Sequence, residues 1–257
     1  MQNKNYQLHF LPLFVLTMLV NILAQAAHET GHHLAYQMMG HEPVWVFTKV
    51  AQMSETTPLH PDEWAMKTYP TGETNWLKAS SLPMAGMEEA IAAAAGPLLG
   101  LFSAILGLVM FRRSTRVTSK QAWLAYIFSV SLAAVLYYLR APARTGGDEY
   151  DIAINLGIAK AFIEIPLALG YLACLLMGLR ELVTWKTRLT WLGTILLGAI
   201  VTAVPMVLLD PILIAQIDAG SAWVQPVFGY SLPVFITILL AVLGVWMWTH
   251  RQEGLSA

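Results

Sequence analysis

The chain alternates between long apolar stretches and short polar or charged connections. A hydrocarbon core of about 30 Å needs about 20 apolar residues of helix to cross it, so stretches of this length predict membrane-spanning helices. Six such stretches occur, at residues 8–39, 90–111, 122–139, 161–179, 189–209 and 228–249. The pattern therefore predicts an all-α polytopic membrane protein with about six transmembrane helices.

The connection between the first two stretches is too polar to span a membrane. Residues 44–47 and 49–51 are rich in valine and aromatic side chains, which favours β-structure. We therefore expect a small β-containing segment between helices 1 and 2. Its edge would offer an extended substrate backbone a place to pair, unless the segment is only a folded cap. Further along, Asp210 followed by Pro211 predicts the end of the fifth helix.

Composition agrees with a membrane location. Apolar residues make up 56% of the chain and charged residues only 12%, against about 25% charged in soluble domains. The net charge of −1 gives no basic surface for nucleic acid. The single cysteine, Cys174, excludes an internal disulfide and a cysteine-based zinc site.

The distribution of Lys and Arg predicts an orientation. If the N-terminus is cytoplasmic, nine of the 15 Lys and Arg residues fall on the cytoplasmic side, which the positive-inside rule favours. We expect both termini in the cytoplasm of a bacterial cell. The A-Q-A sequence at residues 24–26 resembles a signal-peptide cleavage site. The helical pattern continues past it to Met39, so we expect no cleavage there.

The first predicted helix carries the sequence H-E-T-G-H at residues 28–32. Residues i and i+4 lie on one face of a helix, so His28 and His32 can bind one metal ion. Zinc lowers the pKa of a bound water to about 7, and a neighbouring carboxylate can then take up its proton. The motif predicts a zinc hydrolase in which His28 and His32 are ligands and Glu29 is the general base.

The polar residues of this helix share one face. At about 100° per residue, a sector of roughly a quarter turn contains Asn21, Gln25, His28, Glu29 and His32. His33 lies further round the helix and is expected not to touch the metal. Ionisable residues within a membrane helix are costly and usually functional, so this face should border a protein interior or a water cavity. The alternative is a solvated helix end without metal.

A catalytic zinc site usually has three protein ligands and one open position. His9 and His250 lie at the ends of their predicted spans that are remote from the motif. A carboxylate is therefore favoured as the third ligand. Glu88 and Glu89, just before the second span, are candidates of the kind found in zinc proteases with a downstream glutamate.

Three segments together resemble the site-2 protease family of intramembrane zinc metalloproteases. They are A-H-E-T-G-H at residues 27–32, A-A-A-G-P-L at 93–98 and G-G-D-E at 146–149. The sequence L-P-M-A-G at 82–86 is also similar to the entry into that family's second core helix. With alternating crossings, all three main segments would lie on the same side of the bilayer.

The likeness covers roughly residues 14–156. It implies one membrane-embedded metalloprotease domain over residues 1–257, with a core at about 8–160. The helices at 161–250 would be additions to that core. No glycine- or serine-rich linker divides the chain, which agrees with a single domain.

The resemblance also implies roles for particular residues. Zn²⁺ would be held by His28, His32 and Asp148, and Gly96 and Pro97 would lie against the substrate. The substrate would be a membrane-bound or membrane-proximal polypeptide, and the other expected partner is the lipid bilayer. The sequence makes no prediction of the oligomeric state.

Two positions depart from the family pattern. Gly100 stands where the family often has asparagine, and Glu149 stands where it commonly has glycine after the ligand aspartate. Asp151, one helical turn on, is a rival to Asp148. We favour Asp148 because Gly146 and Gly147 free the backbone before it, and we expect its side chain to cap the next helix.

Two other functions stay open at this point. One is a non-catalytic metal-binding membrane protein that regulates other membrane proteins; metal binding alone would not need Glu29. The other is a prenyl-protein-type membrane peptidase that uses a glutamate such as Glu88 as third ligand.

Overall fold

The computed structural model describes residues 8–54, 57–68, 72, 74–78, 86–140, 143 and 146–251. Within this part of the chain there are seven α-helices. They are α1 (Phe10–Met38), α2 (Met87–Arg113), α3 (Val117–Arg140), α4 (Asp148–Leu156), α5 (Ala161–Arg180), α6 (Trp185–Asp218) and α7 (Leu232–Thr249). All of them except the short α4 are long and apolar enough to cross a membrane. The predicted fold class is confirmed, whereas the orientation of the termini and the single domain stay predictions.

The helices pack through a core shared by α1, α3 and α6. Leu16 of α1 and Leu124 of α3 are fully buried there, and the ring of Phe128 meets that of Trp191 edge to face at 5.9 Å. Many other apolar side chains, such as Phe102 and Leu106 of α2, are exposed. Exposed apolar surface on spanning helices is the surface that lipid tails cover.

A small sheet lies between α1 and α2, as the sequence predicts. Its strands are β1 (Met53–Ser54), β2 (Ala65–Thr68) and β3 (Thr74–Leu77), all antiparallel in the order β1-β3-β2. The strands begin later than predicted. Residues 44–51 contain only isolated bridges, one between Trp45 and Val50 and one between Trp45 and Tyr230.

Residues 44–51 are instead held by the C-terminal part of the chain. The Trp45 N–H donates to the Gly229 carbonyl, and the Ser231 N–H donates to the Trp45 carbonyl, both at 2.8 Å. Gly229 and Ser231 belong to a two-stranded hairpin of β4 (Pro226–Val227) and β5 (Tyr230–Ser231) just before α7. A contact across such a sequence separation cannot be predicted from local β-propensity.

The predicted end of the fifth helix at Asp210 is wrong. Helix α6 continues through Pro211 to Asp218. The Asp210 carboxylate is fully buried and accepts the backbone N–H groups of Phe47 at 2.7 Å and Thr48 at 3.0 Å. Asp210 therefore anchors the segment after α1, and neighbouring structure lets the helix pass a proline, as membrane helices often do.

Candidate metal centre

Helices α1 and α4 bring three predicted ligands together. The Nε2 atoms of His28 and His32 lie 3.2 Å apart. The Asp148 Oδ2 atom lies 3.3 Å from the first of them and 3.5 Å from the second. Among the described residues, these three form the one group of His, Cys, Asp or Glu side chains placed to hold a metal ion. They form a possible metal-binding triad.

The spacing of these atoms fits zinc. Zinc binds histidine nitrogen and carboxylate oxygen at about 2.0–2.2 Å, and a tetrahedron with such bonds has edges of about 3.3–3.6 Å. The three observed separations, from 3.2 to 3.5 Å, match one face of it. The fourth corner is left for water or substrate. Two imidazole nitrogens this close repel each other unless a proton or a cation lies between them.

The His32 ring is oriented by groups outside the triad. Its Nδ1 atom lies 2.7 Å from the Ala92 carbonyl oxygen; a carbonyl only accepts, so this nitrogen carries the proton. That leaves the Nε2 lone pair free for a metal; in metal sites the other ring nitrogen of a histidine ligand commonly donates such a hydrogen bond. The ring of Trp45 stacks on the His32 ring with centroids 5.8 Å apart.

Two glycines allow α1 and α2 to approach closely enough for this contact. A Cβ atom on Gly31 would overlap the carbonyl oxygen of Ala95, and one on Gly96 would overlap the His32 ring. Gly96 therefore touches a metal-binding side chain directly. Pro97 follows, and its carbonyl oxygen accepts the Tyr171 hydroxyl at 2.7 Å. The substrate-binding roles of Gly96 and Pro97 stay predictions.

Asp148 is the first residue of α4, not its cap. Gly147 is the N-cap residue, with a φ of 109° that side-chain-bearing residues rarely adopt. The backbone turn at Gly147 lets the next side chain reach the histidines, and so the capping expectation is wrong. Burial alone would raise the pKa of Asp148, but the imidazoles of His32 and His28 hold that pKa below its usual value.

Glu149 has a role that sequence reasoning missed. Its side chain is 1% exposed, and both its carboxylate oxygens accept the Tyr137 hydroxyl, at 3.0 and 2.9 Å. Burial raises the pKa of Glu149. The one indication of this role in the sequence is that Glu149 stands where the site-2 protease pattern commonly has glycine. The Tyr137–Glu149 contact fixes the start of α4 beside Asp148.

Replacing Tyr137 with phenylalanine should weaken zinc binding by about 10-fold or more. Groups that hydrogen-bond and orient a metal ligand typically contribute 10–100-fold to metal affinity. Tyr137 acts through Glu149, which fixes the position of the neighbouring Asp148. Competition with a fluorescent zinc chelator measures the affinity. Tyr126→Phe is the matched control, because Tyr126 lies on the same helix and bonds Ser103 at 2.9 Å instead. Equal affinities in the two variants would contradict a positioning role.

Glu29 lies in the same cavity as the triad. Its side chain is buried, and its Oε1 atom accepts the Gln25 amide at 2.5 Å. The cavity, which we call the polar cavity, has a volume of about 210 Å³ and is lined in part by Glu29, the triad and Asp151. A carboxylate held in this way is placed to exchange a proton with a molecule bound at the triad.

The rival carboxylates lie outside the triad. Asp151 lines the polar cavity, and burial, with the nearby carboxylates of Glu89 and Asp148, raises its pKa to about 7. Glu89 forms an ion pair with Lys67. Glu88 lies 3.8 Å from His41 and is largely exposed. The arrangement does not favour a glutamate as third ligand.

His33 is kept away from the triad, as expected. Its ring lies 5.5 Å from that of Tyr230 and packs against Gly229. The hydroxyls of Thr30 and Tyr230 are 2.6 Å apart. Helix α1, which carries the H-E-T-G-H sequence, therefore also packs against the hairpin before α7.

Comparisons of the chain with protein-family models, with curated proteins and with solved structures find no match. The resemblance to site-2 proteases therefore stays a prediction.

Proposed function

We propose that this protein is an intramembrane zinc metalloprotease that hydrolyses a peptide bond of a membrane-bound or membrane-proximal polypeptide. The observation that carries the proposal is the convergence of His28, His32 and Asp148 beside the buried carboxylate of Glu29. Metal binding alone would not need that carboxylate. Burying a carboxylate in a membrane helix costs free energy, and such residues are usually functional.

Each of these residues has a distinct task. His28, His32 and Asp148 would hold zinc, which supplies Lewis-acid activation of a water molecule and of the peptide carbonyl. Glu29 takes one proton from the attacking water as its oxygen bonds to the carbonyl carbon. It then delivers that proton to the amide nitrogen as the C–N bond breaks. The products are a carboxylic acid and an amine, and Glu29 ends in its starting state.

The surroundings of the site support a polypeptide substrate. The polar cavity is lined by Met53 of β1, Leu77 of β3 and Val50 just before the sheet. β1 lies at an edge of that sheet, and a sheet edge can pair with an extended backbone. An extended backbone is the form in which a peptide bond is open to attack. His28, Glu29 and His32 lie on α1, a helix of membrane-spanning length, which fits a substrate in or near the bilayer.

Removal of the metal should abolish cleavage. We expect the purified protein in lipid nanodiscs to cut members of a library of synthetic peptides with apolar segments of about 20 residues flanked by lysines. Treatment with 1,10-phenanthroline should stop the reaction, and about one equivalent of Zn²⁺ should restore it. Mass spectrometry of the products measures both effects. Protein that holds a full equivalent of zinc and cuts no peptide would instead indicate a non-catalytic metal-binding protein.

A further inference from the structure

A second cavity meets the polar cavity at the metal centre. Its volume is about 310 Å³, and we call it the apolar cavity. His28 and Asp148 line both cavities. A molecule with its reacting atom at the triad therefore borders both cavities.

The apolar cavity exists because several helices present small residues to it. Its walls include Gly100 of α2, Ala133 and Ala134 of α3, and Ala199 and Ala203 of α6. Larger side chains at the alanine positions would fill the space. Helix α6 lies outside the part of the chain that resembles the protease family, so the part of the wall that α6 forms belongs to the additional helices.

Aromatic side chains also line the apolar cavity. Tyr137, Tyr138 and Tyr171 contribute to the wall. The hydroxyls of Tyr137 and Tyr171 are engaged elsewhere, with Glu149 and the Pro97 carbonyl. What these two rings offer a ligand is therefore mainly apolar surface. A few polar groups, such as those of Gln25 and Thr202, also border the space.

We infer that the apolar cavity binds a large apolar side chain of the substrate, such as that of leucine, methionine or phenylalanine. The side chain belongs to the residue that contributes the carbonyl group of the cleaved bond. The inference rests on the proposed function and names a specificity for it. The Cβ atom of that residue is only two bonds from the carbonyl carbon, so its side chain lies within reach of both spaces at the triad. A cavity of this size is at the lower end of ordinary ligand sites.

The outer end of the cavity suits the same ligand. Ala133 and Ala203 line it and are exposed, and both belong to helices of membrane-spanning length. An apolar side chain can therefore enter from the bilayer without crossing water. Contact with the cavity walls then favours a large side chain over alanine, because alanine would leave most of the space unfilled and lose those packing contacts.

Filling the cavity should change which bonds are cut. In peptides that differ only at the residue next to the cut, wild type should prefer phenylalanine or leucine over alanine by about 10-fold or more, as for hydrophobic enzyme pockets. Ala203→Phe should abolish that preference and leave zinc content unchanged. Val204→Phe is the matched control, because Val204 is exposed on the same helix and does not line the cavity. An unchanged preference in Ala203→Phe would overturn the inference.

A binding measurement tests the cavity even if no peptide is cut. Zinc-loaded Glu29→Gln protein in nanodiscs would be irradiated with the same peptides, each carrying one benzophenone-bearing phenylalanine. We expect cross-links to residues 133–134 of α3 or 199–203 of α6, and fewer of them in Ala203→Phe. Cross-links only to other surfaces, or a cavity occupied by lipid that no peptide displaces, would overturn the inference. Failure of the proposed function is separate, since it would leave wild type loaded with zinc and inactive.

Discussion

Glu29→Gln is expected to lower the rate of peptide cleavage by about 10²–10⁴-fold, the usual contribution of a general acid–base group. Glutamine has the shape of glutamate but cannot accept a proton from water or return it to the leaving nitrogen. Its side-chain oxygen can still accept the Gln25 amide, which lies 2.5 Å from Oε1 in the structure. The polar cavity should therefore keep its form, and zinc content should equal that of wild type.

The measurement compares cleavage rates at saturating zinc, with metal content determined on the same samples. Glu89→Gln is the matched control, because Glu89 also lines the polar cavity but is held by Lys67 and by Asn155 at 3.2 Å. We expect a much smaller loss of rate in that variant. Cleavage by Glu29→Gln at the wild-type rate would remove Glu29 from the reaction.

The fold could be predicted from the sequence where local pattern decides the structure. The apolar run at residues 8–39 predicts a helix that the structure places at Phe10–Met38. The end of α6 could not be predicted in this way, because Asp210 and Pro211 have the local chemistry of a helix stop. The Asp210 side chain instead accepts hydrogen bonds from Phe47 and Thr48, and nothing near Asp210 in the sequence indicates these partners.

The candidate site divides along the same line. His28 and His32 meet because of helix geometry alone, so the spacing in the sequence is enough to predict the pair. Asp148 lies on another helix and could be named only through the family resemblance. The hydrogen bonds from Tyr137 to Glu149 depend on how α3 packs against the start of α4. The only indication of these hydrogen bonds in the sequence is the glutamate at position 149, where glycine is expected.

The apolar cavity was beyond prediction for a further reason. The small residues of its wall lie on helices far apart in the sequence, and such residues are also usual at helix contacts in membranes. Composition cannot distinguish a small residue that lets helices touch from one that leaves a space. Gly31 is the first kind, since a Cβ there would overlap Ala95, whereas Ala203 borders open volume.

Asp148→Asn is expected to weaken zinc binding by more than about 100-fold. Loss of a group that only hydrogen-bonds to a ligand costs about 10–100-fold in metal affinity, and loss of the ligand itself should cost more. Asparagine keeps the size of the side chain and removes the charge that faces both histidines, at 3.3 and 3.5 Å. Zinc per protein after dialysis against a competing chelator measures the loss.

Asp151→Asn is the matched control, one turn further along α4 and bordering the same polar cavity. It should retain about one equivalent of zinc, because Asp151 is not part of the triad. The reverse result, with zinc kept by Asp148→Asn and lost from Asp151→Asn, would make Asp151 the ligand. Since α4 is anchored by Glu149 next to Asp148, that result would require α4 to rotate and break the Tyr137 contact. Tyr137→Phe would then strengthen zinc binding instead of weakening it.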